Sequence, residues 1–305
     1  MSTTPRVSVL LTTYNRESFI AESIESVLAQ SLTDFELIIV DDCSTDGTVE
    51  VARSYVSDPR VRLVQNERNL GQFPNRNYAS TLARGQYLKY HDSDDLMYPH
   101  CLTAMAEPLD AAPGAAFALS ASGYWNGGSC PMLLTPQLAY EREYLGAGLF
   151  HLGPPSALFR AQAFRDLGGF PLAGVASDYL FWLKACARVN VLLVPGDLFY
   201  YRLHSGQELV SDTAELEYAR SKAGCWTMLN SPDCPLRGSA LEQAKTNFVY
   251  TLARSSFRQL RRRRWTAAAA IVKHSSVRPV DWVRYLRPPR RSAFAGTPVQ
   301  RQVRV

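Results

Sequence analysis

The chain has 305 residues, of which 46% are apolar and 20% charged, a composition typical of a globular protein with room for one large α/β domain. It has no run of 18 apolar residues, so we expect no membrane-spanning helix. The net charge of +5 conceals an asymmetry: residues 251–305 hold 14 basic residues and one acidic residue, whereas the preceding 250 hold 19 and 27. Such a basic end favours an anionic partner.

The cysteines predict a reduced, cytosolic protein. No two of the six form a C-x-x-C pair, and their spacing does not match that of zinc ligands. The first residues lead directly into a predicted strand, so we expect no secretory segment and no disulfide framework.

The first hundred residues alternate between predicted strands and helices. Strands are predicted at 7–11, 35–40, 61–64 and up to about 91, with helices at 19–28, 48–56 and 75–83, the last closed by Gly85 as a C-cap. This alternation is typical of a parallel, doubly wound sheet covered by helices on both faces.

Polar residues follow three of these strands at the point where each strand ends. They are the turn at 12–14, the pair Asp41 and Asp42, and the acidic turn Asp92-Ser93-Asp94-Asp95. Ligands of open α/β sheets bind outside the carboxyl ends of the strands. The acidic turn alone could be a solvated surface turn, but its convergence with the other strand ends favours a site for a divalent cation.

The second half is less regular. A strand at 116–122 and an extended loop at 153–156 precede a helix at 160–167. A helix at 177–188 follows, with Ser177 as its N-cap, and then strands at 189–194 and 199–204. Helical periodicity extends from 215 to about 273, and the composition after residue 288 predicts disorder.

Several motifs, in this order and spacing, resemble those of family 2 glycosyltransferases of the GT-A fold. They cover roughly residues 6–210 and are VSVLLTTYNR (7–16), VDDCSTDGT (40–48), NLGQFPNRN (69–77), DSDD (92–95), FR (159–160), GGFP (168–171), SD (177–178) and YYRLH (200–204).

The resemblance implies an α/β fold, a Rossmann-like mixed sheet with a C-terminal helical appendage. It implies a glycosyltransferase domain at 1–212, divided near residue 98 into a nucleotide-binding half and an acceptor half. A helical basic extension at 213–287 and a tail at 288–305 would follow.

The resemblance also implies a nucleoside-diphosphate sugar donor, with a uridine nucleotide favoured. A carboxylate at a strand end can accept a hydrogen bond from the imide N–H of uracil, and in the family the equivalent of Asp42 does so. The residues implied in nucleotide binding are Thr12, Tyr14, Asn15, Arg16, Asp42, Arg76 and Asp92.

A metal ion and a catalytic base complete the implied site. Mn²⁺ or Mg²⁺ would be held by Asp94, with Asp95 and His204, to stabilise the leaving diphosphate; the division of contacts among the three acids is left open. Asp178 matches the carboxylate that deprotonates the acceptor hydroxyl in an inverting displacement, although Ser177 replaces the usual preceding glutamate. The residues implied near the donor sugar and acceptor are Gly153, Pro155, Ser156 and Arg202.

The implied acceptor is a glycan, a lipid-linked saccharide or another hydroxyl compound. The basic C-terminal region, with Arg261 to Arg264 followed by Trp265, either docks on an anionic membrane or is a solvated helical face. We expect no nucleic-acid partner, because no recognised module accompanies the charge. The predicted location is therefore the cytoplasm, with the inner membrane face as an alternative.

Two other functions remain possible from the sequence. A sugar nucleotidyltransferase would carry a glycine-rich loop after the first strand, which Thr12-Thr13-Tyr14-Asn15-Arg16 lacks. A non-catalytic binding protein of the same fold would be expected to have lost Asp42, Asp94 or Asp178, and all three are present.

Overall fold

A computed structural model of the protein describes residues 4–121, 130–204 and 212–286, and for 212–220 it describes the backbone alone. The tail predicted at 288–305 lies outside the described residues. Within the described ranges, no helix is both long enough and apolar enough to cross a bilayer.

Eight strands form one mixed sheet in the order β3-β2-β1-β4-β8-β6-β9-β7. Strands β1 to β4 are mutually parallel where they pair, β8 is antiparallel to both of its neighbours, and β9 is parallel to β6 and antiparallel to β7. A small antiparallel pair, β5 with β10, lies apart from it. The strands are β1 (Val7–Thr13), β2 (Phe35–Asp41), β3 (Val61–Gln65), β4 (Tyr87–Asp92), β5 (Leu96–Met97), β6 (Ala115–Ala121), β7 (Met132–Leu134), β8 (Ala157–Arg160), β9 (Asn190–Pro195) and β10 (Phe199–Tyr200).

Helices cover the sheet and continue beyond it into a C-terminal helical region. They are α1 (Ile20–Leu28), α2 (Thr48–Arg53), α3 (Gln72–Leu82), α4 (Cys101–Ala111), α5 (Pro136–Leu145), α6 (Ala161–Asp166), α7 (Ser177–Ala185), α8 (Asp212–Leu229), α9 (Gly238–Arg261), α10 (Trp265–His274) and α11 (Pro279–Tyr285). Short 3-10 turns occupy Pro154–Ser156 and Gly174–Ala176.

The sheet has a hydrophobic core on each face, because successive side chains of a strand point to opposite sides. Leu10 of β1 belongs to one core, whereas its neighbours Val9 and Leu11 belong to the other. All seven residues of β2 are buried, as expected for a strand covered on both faces. The prediction of a helix-covered mixed α/β sheet is confirmed.

The C-terminal helical region shares one of these two cores. Trp226 of α8, Val249 of α9, Ile271 of α10 and Tyr285 of α11 are buried in the same apolar cluster as Leu10 of β1. Helix α8 also packs against α7, and α9 packs against α5. A cut through this region would therefore expose apolar surface of the sheet's own core.

Two predicted caps are wrong. Gly85 does not close α3, because the C-cap of that helix is Ala83. The Gly85 N–H donates to Ser8 Oγ, and a Cβ on Gly85 would lie 2.5 Å from the Ser8 backbone nitrogen. Ser177 is the first residue of α7 and not its N-cap. Its hydroxyl instead donates to the Gly174 carbonyl at 2.6 Å, which fixes the preceding turn.

Two predicted element boundaries also differ. The strand predicted at 199–204 ends at Tyr200, because the Arg202 N–H donates to the Asp95 side chain and not to a neighbouring strand. The helical stretch predicted at 215–273 is divided among α8, α9 and α10. Helices α4 and α5 were not predicted; α5 begins with a proline, which fits the first turn of a helix.

Candidate functional site

Three parallel strands bring the first group of predicted residues to one edge of the sheet. Strand β1 pairs with both β2 and β4, and Thr12 lies opposite Val40 on one side and Asp92 on the other. The carboxyl ends of the strands meet there, which is where open α/β sheets bind ligands. Tyr14, just beyond β1, is 43% exposed and open to contact from solvent.

Asn15 and Arg16 fasten the loop after β1 to its neighbours. Asn15 has a φ of 51°, a left-handed conformation that asparagine tolerates better than most residues, and its Oδ1 accepts a hydrogen bond from the Thr45 N–H at 2.8 Å. The Arg16 N–H donates to Thr48 Oγ1 at 2.7 Å, and Arg16 Nε donates to Asp94 Oδ2 at 2.9 Å. Arg16, predicted to bind nucleotide, therefore lies against the acidic turn.

Asp42 anchors the loop that joins β3 to α3. Its Oδ1 accepts hydrogen bonds from Asn66 Nδ2 and the Leu70 N–H, each at 2.8 Å, and its Oδ2 accepts one from the Gly71 N–H at 2.9 Å. Gly71 has a φ of +88°, a conformation that favours glycine. A carboxylate offers about four lone-pair sites, so Asp42 keeps capacity for one more donor.

Arg76 and Asp92 form an ion pair next to this loop. Arg76 projects from α3, is 3% exposed, and its guanidinium lies 2.5 Å from Asp92 Oδ1. The guanidinium also lies 5.3 Å from the centre of the Phe73 ring. The structure thus brings together the predicted loop arginine and the first acid of the acidic turn.

One oxygen atom of Asp94 receives two basic side chains. His204 Nε2 and Arg16 Nε each lie 2.9 Å from Asp94 Oδ2. Burial favours the protonated acid, but the hydrogen bond from His204 and the positive charge of Arg16 outweigh it and hold the pKa of Asp94 below its ordinary value. Asp94 is therefore ionised at neutral pH.

The pKa of Asp95 is shifted in the opposite direction, above its ordinary value. Burial raises the pKa of Asp95 to about 8, the negative charge of Asp92 adds to the shift, and the hydrogen bond from the Arg202 N–H at 3.1 Å opposes it. The Nε of the Arg202 side chain donates to the Asp94 carbonyl at 3.0 Å, and the Arg202 guanidinium pairs with Glu22 at 2.5 Å. Arg202 therefore holds the acidic turn and the end of β10 together.

The acidic turn has the oxygen ligands that a hard cation prefers. Asp95 Oδ2 is buried and has no hydrogen-bond partner within the described part of the chain, and the proximity of ionised Asp94 makes a second negative charge there unfavourable. A divalent cation would relieve both conditions. Among the described residues, no group of three or more His, Cys, Asp or Glu is arranged to hold a metal alone.

Asp178 is the second residue of α7. The charges of Arg76 and Asp92 both act on its carboxylate, so these three side chains lie within electrostatic range of one another. Burial raises the pKa of Asp178 to about 6, against the hydrogen bond that its Oδ1 accepts from the Tyr179 N–H at 2.6 Å. A carboxylate with a pKa close to neutrality is suited to accept a proton in catalysis.

The predicted acceptor loop is held by a residue that sequence reasoning missed. Pro155 and Ser156 are buried in the 3-10 turn that follows Gly153. The Lys89 ammonium, fully buried beneath this turn, donates a hydrogen bond to the Pro155 carbonyl, and burial lowers the pKa of Lys89. A lysine in the middle of a predicted buried strand was the available signal, because lysine is rarely fully buried without a partner.

Glu143 of α5 is a second residue that was missed. Its Oε2 accepts hydrogen bonds from the N–H groups of Leu149 and Phe150 at 2.7 and 2.9 Å, and its Oε1 lies 3.1 Å from the Tyr179 hydroxyl. Glu143 thereby ties the segment before Gly153 to the helix that carries Asp178. No sequence pattern pointed to Glu143, since α5 has no clear apolar periodicity.

Comparison with known proteins identifies relatives of this chain. The TarS poly(ribitol-phosphate) beta-N-acetylglucosaminyltransferase of Staphylococcus aureus is 30% identical over 201 residues, which cover 64% of this chain and 35% of that protein. The succinoglycan biosynthesis protein ExoO of Rhizobium meliloti is 41% identical over 108 residues, covering 35% of this chain and 31% of that protein. The matches thus span about a third of the length of these relatives.

Solved structures share the fold. A crystal structure of S. aureus TarS 1-349 aligns with a TM-score of 0.63 and 22% identity, covering 89% of this chain and 81% of that one. The mannosyltransferase PcManGT of Pyrobaculum calidifontis, solved with GDP-Man and Mn²⁺, aligns with a TM-score of 0.58 and 17% identity, covering 92% and 88%. These likenesses confirm the GT-A fold.

The family model described as "Glycosyl transferase family 2" matches residues 8–168, more than half of the chain. That range begins in β1 and includes Asp42, Arg76 and the acidic turn at 92–95. The chain therefore belongs to glycosyl transferase family 2.

Proposed function

We propose that this chain transfers a sugar from a nucleoside-diphosphate sugar to a hydroxyl acceptor, with inversion at the anomeric carbon. The observation that carries the proposal is Asp178, a half-buried carboxylate whose pKa burial raises to about 6 and on which the charges of Arg76 and Asp92, the ion pair beside the acidic turn, both act. A candidate proton acceptor and a candidate diphosphate site thus lie within electrostatic range of each other.

The donor nucleotide would lie across the ends of β1, β2 and β4. Tyr14 offers an exposed ring beside Thr12, and Asp42 keeps one lone-pair site for the imide N–H of uracil. Arg76 and the backbone around Asn15 would complete the nucleotide contacts. TarS has been crystallised with UDP-GlcNAc and with UDP, which supports a uridine diphosphate donor.

The diphosphate would bind beside the acidic turn with Mg²⁺ or Mn²⁺. Asp94 and Asp95 would supply carboxylate oxygens to the ion, and His204 would contribute from the other side. When bound, such an ion acts as a Lewis acid that stabilises the charge developing on the departing diphosphate. Arg16, which contacts Asp94 at 2.9 Å, would release that oxygen and become available to a phosphate.

Asp178 would accept the proton of the acceptor hydroxyl as that oxygen attacks the anomeric carbon. Its raised pKa makes it a better base than an ordinary aspartate while leaving it ionised above about pH 6. The Gly153–Ser156 segment, fixed by Lys89, would shape the acceptor side together with Arg202. The acceptor would be a glycan, a lipid-linked saccharide or another hydroxyl compound; the names of TarS, with poly(ribitol-phosphate), and of ExoO, with succinoglycan, support a polymeric acceptor.

The test is donor turnover by the full chain with Mn²⁺ across a panel of nucleotide sugars. We expect release of nucleoside diphosphate from one uridine diphosphate sugar, and loss of that release by at least about 100-fold in Asp178→Asn with donor affinity within about two-fold of wild type. Asp166→Asn, an exposed acid on α6, is the matched control.

Two outcomes would overturn the proposal. Tight UDP binding without turnover of any donor or acceptor would indicate a non-catalytic binding protein of this fold. Release of inorganic pyrophosphate from a nucleoside triphosphate and a sugar phosphate would indicate a nucleotidyltransferase.

A further inference from the structure

A basic groove lies at the C-terminal end of α9, on the helical region and apart from the sheet edge described above. Its volume is about 430 Å³. Phe257 in its wall is 63% exposed, and Trp265, which begins α10 a few residues later, is 67% exposed. The residues that line the groove are four arginines and a phenylalanine: Arg254, Phe257, Arg258, Arg261 and Arg262.

The C-terminal segment that carries this groove is strongly basic. Residues 251–286 contain nine lysines and arginines and a single acid, Asp281. Asp281 is already paired with Arg278 at 2.8 Å, and the acid Glu242 of α9 is paired with Arg284 at 3.1 Å. Four arginines in one groove repel one another, so an anionic partner would lower the energy of the surface.

The aromatic and aliphatic side chains around the arginines favour a membrane over a soluble anion. Aromatic rings concentrate at the membrane–water interface, and arginine stems can lie along apolar material while their charges reach phosphate groups. Val272 of α10 is also exposed, at 43%. Exposed apolar residues of this kind would gain nothing from a nucleic-acid backbone, and no nucleic-acid-binding module accompanies the charge.

We propose that the basic groove docks the protein on an anionic phospholipid surface, with lipid phosphates among the four arginines and with Phe257 and Trp265 at the interface. The docked surface is joined firmly to the rest of the protein, because α9 packs against α5 and α10 packs against α8, which in turn packs against α7. Docking would therefore hold the helix that carries Asp178 at a fixed height above the membrane. The proposal does not depend on sugar transfer.

Vesicle co-sedimentation of the full chain, without donor or acceptor, tests the proposal. We expect binding to phosphatidylcholine vesicles that contain about a third phosphatidylglycerol, little binding to pure phosphatidylcholine, and weakening of the former as salt is raised. Arg258→Gln/Arg261→Gln should lower the partition coefficient about five-fold per arginine. Trp265→Ala should also weaken binding, with a smaller dependence on salt.

The matched control removes the same charge elsewhere. Arg53→Gln/Arg188→Gln replaces two exposed arginines of α2 and of the turn after α7, and should leave partitioning within about two-fold of wild type. Thermal melting of each variant verifies folding. If the first groove variant does not fold, Arg254→Gln/Arg262→Gln provides the same measurement.

Three results would overturn the proposal. Equal binding to neutral and anionic vesicles would exclude recognition of lipid charge. Equal losses of vesicle binding in the groove and control variants would mean that binding depends on net charge alone and not on the groove. Tighter binding to a duplex oligonucleotide than to anionic vesicles at the same salt, lost in the groove variant, would assign the groove to nucleic acid.

Discussion

His204 and Asp94 are 110 residues apart in the chain, and His204 Nε2 lies 2.9 Å from Asp94 Oδ2. The contact closes the segment after β10 over the acidic turn, where Arg202 adds hydrogen bonds to Asp95 and to the Asp94 carbonyl. An acidic turn at the end of a strand is thereby converted into a half-buried carboxylate site with basic residues on two sides.

Asp94→Asn should weaken the affinity of the protein for the divalent ion that supports donor turnover. The substitution removes the negative charge of a carboxylate that Arg16 and His204 keep ionised. A metal ion at such a site contributes several kcal/mol to transition-state stabilisation. We expect chelation with EDTA to abolish wild-type turnover, and the Mn²⁺ concentration for half-maximal rate to rise about ten-fold or more in the variant. A Mn²⁺ titration measures this, with Asp166→Asn as control. An unchanged titration curve would remove Asp94 from the metal site.

Asp42→Asn should loosen the loop between β3 and α3. Asp42 accepts hydrogen bonds from Asn66, Leu70 and Gly71, and the amide nitrogen of asparagine would face one of these donors. Leaving a buried donor unpaired costs about 1–3 kcal/mol. We expect a lower melting temperature and a weaker UDP affinity by calorimetry. The exposed Asp233→Asn should change neither. Weaker UDP binding at an unchanged melting temperature would mean that Asp42 serves the base and not the loop.

Asp178→Asn should make the protein more stable at neutral pH while removing activity. The pKa of Asp178 is raised to about 6 in the folded state, whereas an unfolded aspartate has about 3.9, so the ionised carboxylate opposes folding. The penalty is absent below about pH 4, grows between pH 4 and 6, and is complete above that range.

Chemical denaturation of both proteins across this pH range measures the difference. We expect the variant to gain about 1–3 kcal/mol at pH 7.5 and to lose the gain near pH 4. A gain that does not vary with pH would mean that the raised pKa is not its cause. Asp166→Asn should give no pH-dependent difference.

Gly224→Val should impair catalysis from a position outside the sheet edge. Gly224 of α8 lies against α7, and a Cβ there would come 2.7 Å from Leu180 Cδ2, two residues from Asp178 in sequence. The Leu180 side chain must move to make room, and valine crowds the contact between the two helices, which typically costs about 1–3 kcal/mol. We expect a lower kcat with little change in donor KM. Gly114→Val, where a Cβ meets nothing within 4 Å, is the control.

In Gly224→Val, kcat should fall while the donor KM stays nearly unchanged. Because the proposed nucleotide contacts lie on or next to β1, β2 and α3, a shift of α7 should affect the acceptor step and spare donor binding. A rise in donor KM equal to the loss in kcat would indicate general unfolding and not a displaced base.

The sequence by itself determined the parallel strands and the positions of Thr12, Asp42 and the acidic turn. Strand periodicity and the polar residues at strand ends are local properties, and the right-handed connections between parallel strands bring those ends to one edge. The four strands β1 to β4 were therefore predicted with small boundary errors, and so was the edge that Asp92 shares with Thr12.

Only the tertiary structure decided which distant residues close this edge. The position of Arg202 over Asp95, the burial of Lys89 beneath Pro155 and the tie from Glu143 to Tyr179 each depend on packing between segments far apart in the chain. Local periodicity carries no information about such pairs, because the partner of a buried polar group is set by the helices and turns that pack over it. The same reason explains why the helical extension, which the sequence predicted as an appendage, packs into the core behind the sheet.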